Sequence, residues 1–272
     1  MKIQKLPART GMHWLQLGWQ TFWRQPLALG LLFSLWIAGP VLVALIPVVG
    51  LTLSMALQPL LMLTLLVAVS QAVAGQRAGP ALLLAFRCSR AQQRGLLALS
   101  ALYALVWLGL LGLTALFDGG SLASAYVGMD ADLGELLTNP PAPSVLTRLL
   151  NLALLLCLLI WPASGLVYWH GISPIKAVFL SAAAGLRNWR AFLVFGLVST
   201  GVVVALLLGN VLFFALLGLV TGMSEPPVTA FMVGLISSFT VYAAISMTAI
   251  FFSFRDCFGV PAAPQAAPPA PT

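Results

Sequence analysis

The chain has 272 residues, of which 61% are hydrophobic and 7% charged, and its mean hydropathy is +1.03. Soluble domains carry about 25% charged residues, so the composition excludes a water-soluble globular domain and points to an all-α, polytopic integral membrane protein. The net charge of +7 does not imply nucleic acid: the basic residues stand in short stretches between apolar spans, where membrane topology accounts for them.

Residues 1–11 are short and basic, with Lys2, Lys5 and Arg9. No cleavable leader is expected, because the first long apolar run starts only near Leu27 and no small-residue cleavage pattern closes it. From Met12 to Arg24 comes an amphipathic prelude. His13, Gln16, Gln20 and Arg24 share a polar face, and Trp14, Leu15, Gly18, Trp19 and Phe22 face the other way. The first span is predicted at about 27–48 and the second at about 51–74, joined by a tight uncharged turn, with Gly39-Pro40 and Pro47 as kink sites. A second prelude, 76–94, places Arg87, Arg90 and Arg94 on one helical face. The third span is about 95–117. A hydrophilic loop, 118–145, follows, holding Asp118, Asp130, Asp132 and Glu135 and punctuated by Gly-Gly and Pro-Pro.

The fourth span is about 146–169, interrupted by Pro162. The third prelude, SPIKAVFLSAAAGLRNWRAF from Ser173 to Phe192, is the clearest. Ser173 suits a helix cap and Pro174 the first helical position. Ile175, Val178, Phe179, Ala182, Leu186 and Trp189 fall on one side, and Lys176, Ala183, Arg187 and Arg190 on another. A basic stripe beside an apolar one with a Trp is the composition of a helix lying in a membrane surface; the plainer reading is a helix packed on its own protein. The fifth span is about 191–220 and the sixth about 228–252, ended by Arg255-Asp256. Residues 1–259 thus form one membrane domain, and 260–272 a Pro/Ala-rich tail expected to be disordered.

Six spans with a cytoplasmic N-terminus put every Lys and Arg except Arg148 inside, and every acidic residue except Asp256 outside. Both termini are then cytoplasmic. The plan of prelude, span, turn and span occurs three times. Trp23-Arg24-Gln25, Gln92-Gln93-Arg94 and Leu186-Arg187-Asn188 precede the odd spans, and Pro80, Pro174 and Pro261 follow the even ones. Two readings stand: a threefold repeat of helix hairpins, or the odd–even alternation that any six-span protein shows.

The third prelude, through Gly171, Ser173, Pro174, Ala177, Ser181, Asn188 and Trp189, resembles a motif of uncharacterised bacterial multi-pass inner-membrane proteins. More distantly it resembles the membrane domain that precedes some glycerophosphodiester phosphodiesterases. The opening LQLGWQTFWRQPLA is similar to the start of the same bacterial group. The resemblance implies six spans and a bacterial inner (cytoplasmic) membrane address; it implies no activity, and no phosphodiesterase domain is expected.

No catalytic constellation is found: no H-E-x-x-H, G-x-S-x-G or Walker A, and no charge central in a span. Cys88, Cys157 and Cys257 form no C-x-x-C, and His13 with His170 are too few for a metal site. No enzyme activity, metal or cofactor is therefore expected. The candidate lipid-contacting residues are Arg24, Arg87, Arg90, Arg94, Lys176, Arg187 and Arg190. The candidate intramembrane polar residues are Gln58, Asn151 and Asn210, which line a solute path or hydrogen-bond between helices. The expected function is a non-enzymatic membrane-organising or accessory protein contacting anionic lipid or a protein partner. The alternative is a transporter of an uncharged or amphipathic solute.

Overall fold

The computed structural model describes residues 3–46, 49–78, 88–118, 161–221 and 228–259. Among them are eight helices and no strand: α1 (Thr10–Arg24), α2 (Pro26–Ala44), α3 (Gly50–Val73), α4 (Arg90–Asp118), α5 (Ala163–His170), α6 (Pro174–Arg187), α7 (Trp189–Thr221) and α8 (Val228–Phe258). Among the described residues five stretches are long and apolar enough to cross a membrane: Pro26–Ala44, Thr52–Val73, Arg90–Leu110, Trp189–Thr221 and Val228–Phe258. Of the span predicted at 146–169 only the last residues are described, and there α5 starts directly after Pro162. The loop 118–145, the tail 260–272 and Arg87 also lie outside the described residues, save for Asp118 at the end of α4.

The bundle is organised around α3. Its side chains are apolar on all faces, the mark of a helix with no side left for water. Met62, Leu63, Leu65, Leu66, Val67, Ala68 and Val69 are buried, against α2, α4, α5, α8 and α1. The same composition in α7 has the opposite outcome: Leu197, Leu208, Leu212, Leu219 and Val220 are exposed. In α3 56% of the most apolar window is buried inside the protein and in α7 only 11%. Lipid is the solvent that leaves such a face at rest.

Pro40 and Pro59 sit inside continuous α2 and α3. The first prelude becomes α1, which is an integral part of the bundle. It packs most closely on α8 and then on α7. Gly11 and Gly18 allow this approach. A Cβ at Gly11 would meet Ala191 O at 2.1 Å, and one at Gly18 would meet Ile245 O and Ala249 Cβ at 2.8 Å. Trp14, Leu15 and Phe22 are buried, whereas Trp19, expected on that face, is exposed and stands edge-on to the exposed Trp23 at 5.6 Å. The contact stripe follows the two glycines, and Trp19 lies one step beyond it.

Two further expectations change. Ser173 occupies the N-cap of α6 but its side chain makes no capping hydrogen bond; Pro174 at the first position is the start signal that is used. And α8 does not end at Phe252 before the charged pair. It runs through Arg255 and Asp256 to Phe258, because the carboxylate is neutralised in place. Arg255 Nη2 lies 2.9 Å from Asp256 Oδ1, and Trp14 Nε1 donates to Asp256 Oδ2 at 2.9 Å.

Candidate functional site

Three side-chain amides each stand at the entry to a long helix and tie that entry to the exit of another. Gln25, between α1 and α2, donates to Gln76 O at 2.7 Å and accepts from Ala78 N–H at 2.9 Å, just past the end of α3. Gln92, in the first turn of α4, donates to Tyr168 O near the end of α5 at 2.6 Å. Asn188, between α6 and α7, accepts Leu6 N–H at 2.8 Å, donates to Gln4 O at 3.0 Å and reaches Cys257 Sγ at 3.5 Å, near the end of α8. The three exits also share a left-handed glycine: Gly75, Gly171 and Gly259 have φ of 76°, 61° and 76°. Only glycine takes that conformation without strain, and the N–H groups there close the last turns. Gly75 bonds Ala72 O and Gln76 bonds Gln71 O, a Schellman motif, while Gly171 bonds Val167 O and Gly259 bonds Arg255 O. Sequence reasoning placed Gln25, Gln92 and Asn188 in corresponding triplets but did not find their bonds. One signal was readable: Ser89-x-x-Gln92 is a capping box, with Gln92 N–H on Ser89 Oγ at 3.3 Å and Ser89 N–H on Gln92 Oε1 at 2.9 Å.

The N-terminal segment is pinned to the exit of α8 and to Asn188. Gln4 N–H donates to Cys257 O at 3.2 Å, supplying one of the orphan carbonyls that a helix end leaves. His170 Nε2 lies 3.1 Å from Gly259 O and so donates to it. Trp14, fully buried, packs on Phe192 with ring centroids 5.1 Å apart.

The predicted basic residues stand beside these junctions in the sequence. Arg24, Arg90, Arg94, Lys176, Arg187 and Arg190 are all exposed. Arg190 lies over the Trp189 ring, 5.4 Å from its centroid, a cation–π contact. The third prelude turns its small residues inward: Ala177, Ser181, Ala184 and Gly185 are buried. Its large apolar residues point away from the protein, with Ile175 at 76%, Phe179 at 72% and Leu186 at 70% exposure.

Gln58 and Asn210 are not brought together. Gln58 lines a crevice of about 10 Å³ with Trp36, Tyr103 and Trp161, room for one water at most. Asn210 donates to Leu206 O and to Ser238 Oγ, both at 2.9 Å, joining α7 to α8. Asn151 lies outside the described residues. A larger cavity, about 330 Å³, opens between α6, α7 and α8 and is lined by neither Gln58 nor Asn210. Among the described residues its wall, to which Trp161 and Pro162 also contribute, is apolar except for four serines and Cys257. The hydroxyls of two of those serines, Ser199 and Ser246, are buried without a hydrogen-bond partner.

Over 97% of its length the chain is 32% identical to a probable inner membrane protein of Burkholderia thailandensis, of which it covers 97%. No protein-family model matches the chain, and no solved structure matches it.

Proposed function

The chain belongs to the family of that probable inner membrane protein, and from this premise we propose that it is a non-enzymatic membrane-organising or accessory protein that gathers anionic lipid at its basic end. The observation that carries the reading is the outer surface of α6: Ile175, Phe179 and Leu186 exposed beside the exposed cations Lys176 and Arg187, with Trp189 and Arg190 following. A helix that packs by its small side and offers bulky apolar and basic side chains outward is built to lie in a headgroup layer. Each basic residue near an anionic leaflet is worth about 1 kcal/mol, so Lys176, Arg187 and Arg190 together contribute about 3 kcal/mol of attraction.

The finer architecture belongs to the same proposal. It has six spans, both termini cytoplasmic, and three hairpin units, each entered through a clamping amide and left through a left-handed glycine. Gln25, Gln92 and Asn188 support it from one side, and Gly75, Gly171 and Gly259 from the other. The transporter alternative calls for a polar path to mid-membrane, and the 330 Å³ cavity is walled by other residues than Gln58 or Asn210.

The test changes Lys176, Arg187 and Arg190 together to Gln and measures binding to nanodiscs containing anionic lipid, after correct insertion is confirmed. A large loss at low salt, shrinking as salt is raised, is the expected result. Unchanged binding leaves the cations with a role in insertion topology alone and ends the proposal.

A further inference from the structure

The lengths of α7 and α8 set where the bilayer ends on this protein. A hydrocarbon core about 30 Å thick is crossed by about 20 helical residues, and a tilt of about 20° adds only about one more. α7 has 33 residues and α8 has 31, so about ten or more of each project beyond it. The projecting ends are those that carry Arg190, Arg255 and Asp256. The opposite ends are apolar and exposed, with Leu219 and Val220 on α7 and Val228 opening α8, and such ends belong in lipid. About 20 residues counted from Val228 reach Met247. Asn210 bonds Ser238, and nine residues along from that pair stand Gly201 and Met247, which are therefore level.

Burial changes at the same level. The last exposed large apolar residue of α8 is Val241, and from Ala244 to Phe258 ten residues are buried. Protein takes over from lipid there: Trp14 bonds Asp256, and Trp169 packs on Phe254 with ring centroids 5.2 Å apart.

α1 meets both helices at this level and beyond it. Gly18 lies against Ile245 and Ala249, on either side of Met247. Gly11 lies against Ala191 and Phe195, about 9–15 Å outside Gly201 at 1.5 Å per residue. So α1 slants from the aqueous edge down to the hydrocarbon, and its lower part carries Trp19 and Trp23, both exposed and edge-on at 5.6 Å. Indole is apolar over most of its surface but has one N–H to satisfy, so it rests where hydrocarbon gives way to headgroups. Three residues after Trp23, α2 begins at Pro26, with Leu27 and Leu31 exposed as a lipid-facing helix requires.

We infer that the hydrocarbon ends at the level of Gly18, that Trp19 and Trp23 anchor α1 in the glycerol–headgroup layer, and that α8 beyond Ala249 is held outside the hydrocarbon by protein. The two indoles are uncharged and lie on α1, so this surface is independent of the anionic-lipid reading of α6.

The experiment places the full chain in nanodiscs of phosphatidylcholine brominated either near the carbonyl end or near the methyl end of its chains. Tryptophan fluorescence is compared between wild type and the double variant Trp19→Phe with Trp23→Phe, and the difference isolates the pair. Bromine near the carbonyl end should quench that difference about twofold or more over bromine near the methyl end. Stronger quenching from the methyl end puts the pair in the hydrocarbon and overturns the inference. Quenching by aqueous acrylamide alone puts it in water, and quenching by none of the three puts it under another protein surface; either overturns it. A second measurement needs no change at the tryptophans. Leu193 and Leu208 are both exposed on α7, on opposite sides of Gly201. Leu193→Cys should react with a charged maleimide about tenfold faster or more than Leu208→Cys, read on separate peptides so that Cys88 does not interfere. Equal rates overturn the boundary. Both measurements use neutral lipid, so failure of the anionic-lipid reading leaves them standing, and their failure leaves that reading untouched.

Discussion

Asn188 is 2% exposed and satisfies two backbone groups of the N-terminal segment, Leu6 N–H and Gln4 O. Removing one partner of a buried hydrogen bond costs the desolvation of the other, about 1–3 kcal/mol. Asn188→Ala should therefore loosen residues 3–9 before it unfolds the bundle. The measurement is trypsin cleavage after Lys5 or Arg9 in membrane vesicles, expected to rise about tenfold for each 1.4 kcal/mol of local opening. Asn188→Asp keeps an acceptor for Leu6 N–H and should fall between. Cleavage at the wild-type rate in Asn188→Ala would show that the segment is held elsewhere. This residue shows where the sequence stops being legible. Gln25, Gln92 and Asn188 stand out as amides at matching places, and a resemblance to bacterial membrane proteins runs through Asn188 itself. Their partners, however, lie 51 to 184 positions away for the bonds of Gln25 and Asn188 to Gln76 and Gln4, and no local pattern encodes such a distance.

At the scale of the element, apolar length made the spans readable, and the described ends of α2, α3 and α7 fall within a few residues of expectation. The end of α8 did not, since only the fold brings Trp14 to Asp256 and lets the helix carry its charge pair. The first and third preludes divide in a way that periodicity alone does not decide. α1 buries Trp14, Leu15 and Phe22 because Gly11 and Gly18 admit it between α7 and α8; α6 buries small residues and leaves its bulky ones outside. Gly18→Leu should accordingly be far more damaging than Phe179→Leu. The first drives a side chain into Ile245 O and Ala249, and overpacking of this kind costs about 1–3 kcal/mol or more. The second changes a side chain that the protein does not enclose. Thermal unfolding in detergent should show a drop of several degrees for Gly18→Leu and little change for Phe179→Leu; equal effects would mean that α1 is not wedged there.

For the whole molecule, the question is which side of the membrane the amide-clamped end faces. The hydrogen bonds put the entry of α2 beside the exit of α3, that of α4 beside the exit of α5 and that of α7 beside the exit of α8, and His170 on Gly259 O joins the last two junctions; the proposed six-span arrangement sets all three at one end. Of the 13 Lys and Arg residues, all but Arg148 fall in the segments assigned to that end. Basic residues in short loops are retained on the cytoplasmic side, so this end should be cytoplasmic. Reporter fusions after Arg90, Asn188 and Arg255 should read inside, and fusions after Ser121 and Glu225 outside. Cys88 offers a check on the unfused chain: it is partly exposed, while Cys257 is buried. Burial pushes the Cys88 thiol up, with its own backbone hydrogen bond offsetting part of the effect. A raised thiol holds less thiolate at any given pH below its titration, and thiolate is the form that reacts. Labelling of Cys88 by an impermeant maleimide should therefore be slower than that of a free thiol at pH 7, speed up as pH rises toward 9, and occur in inverted vesicles but not in spheroplasts. Rapid labelling of Cys88 in spheroplasts, or a cytoplasmic signal from the Ser121 fusion, would break the six-span topology and turn the basic end outward, away from the leaflet whose charge it is proposed to meet.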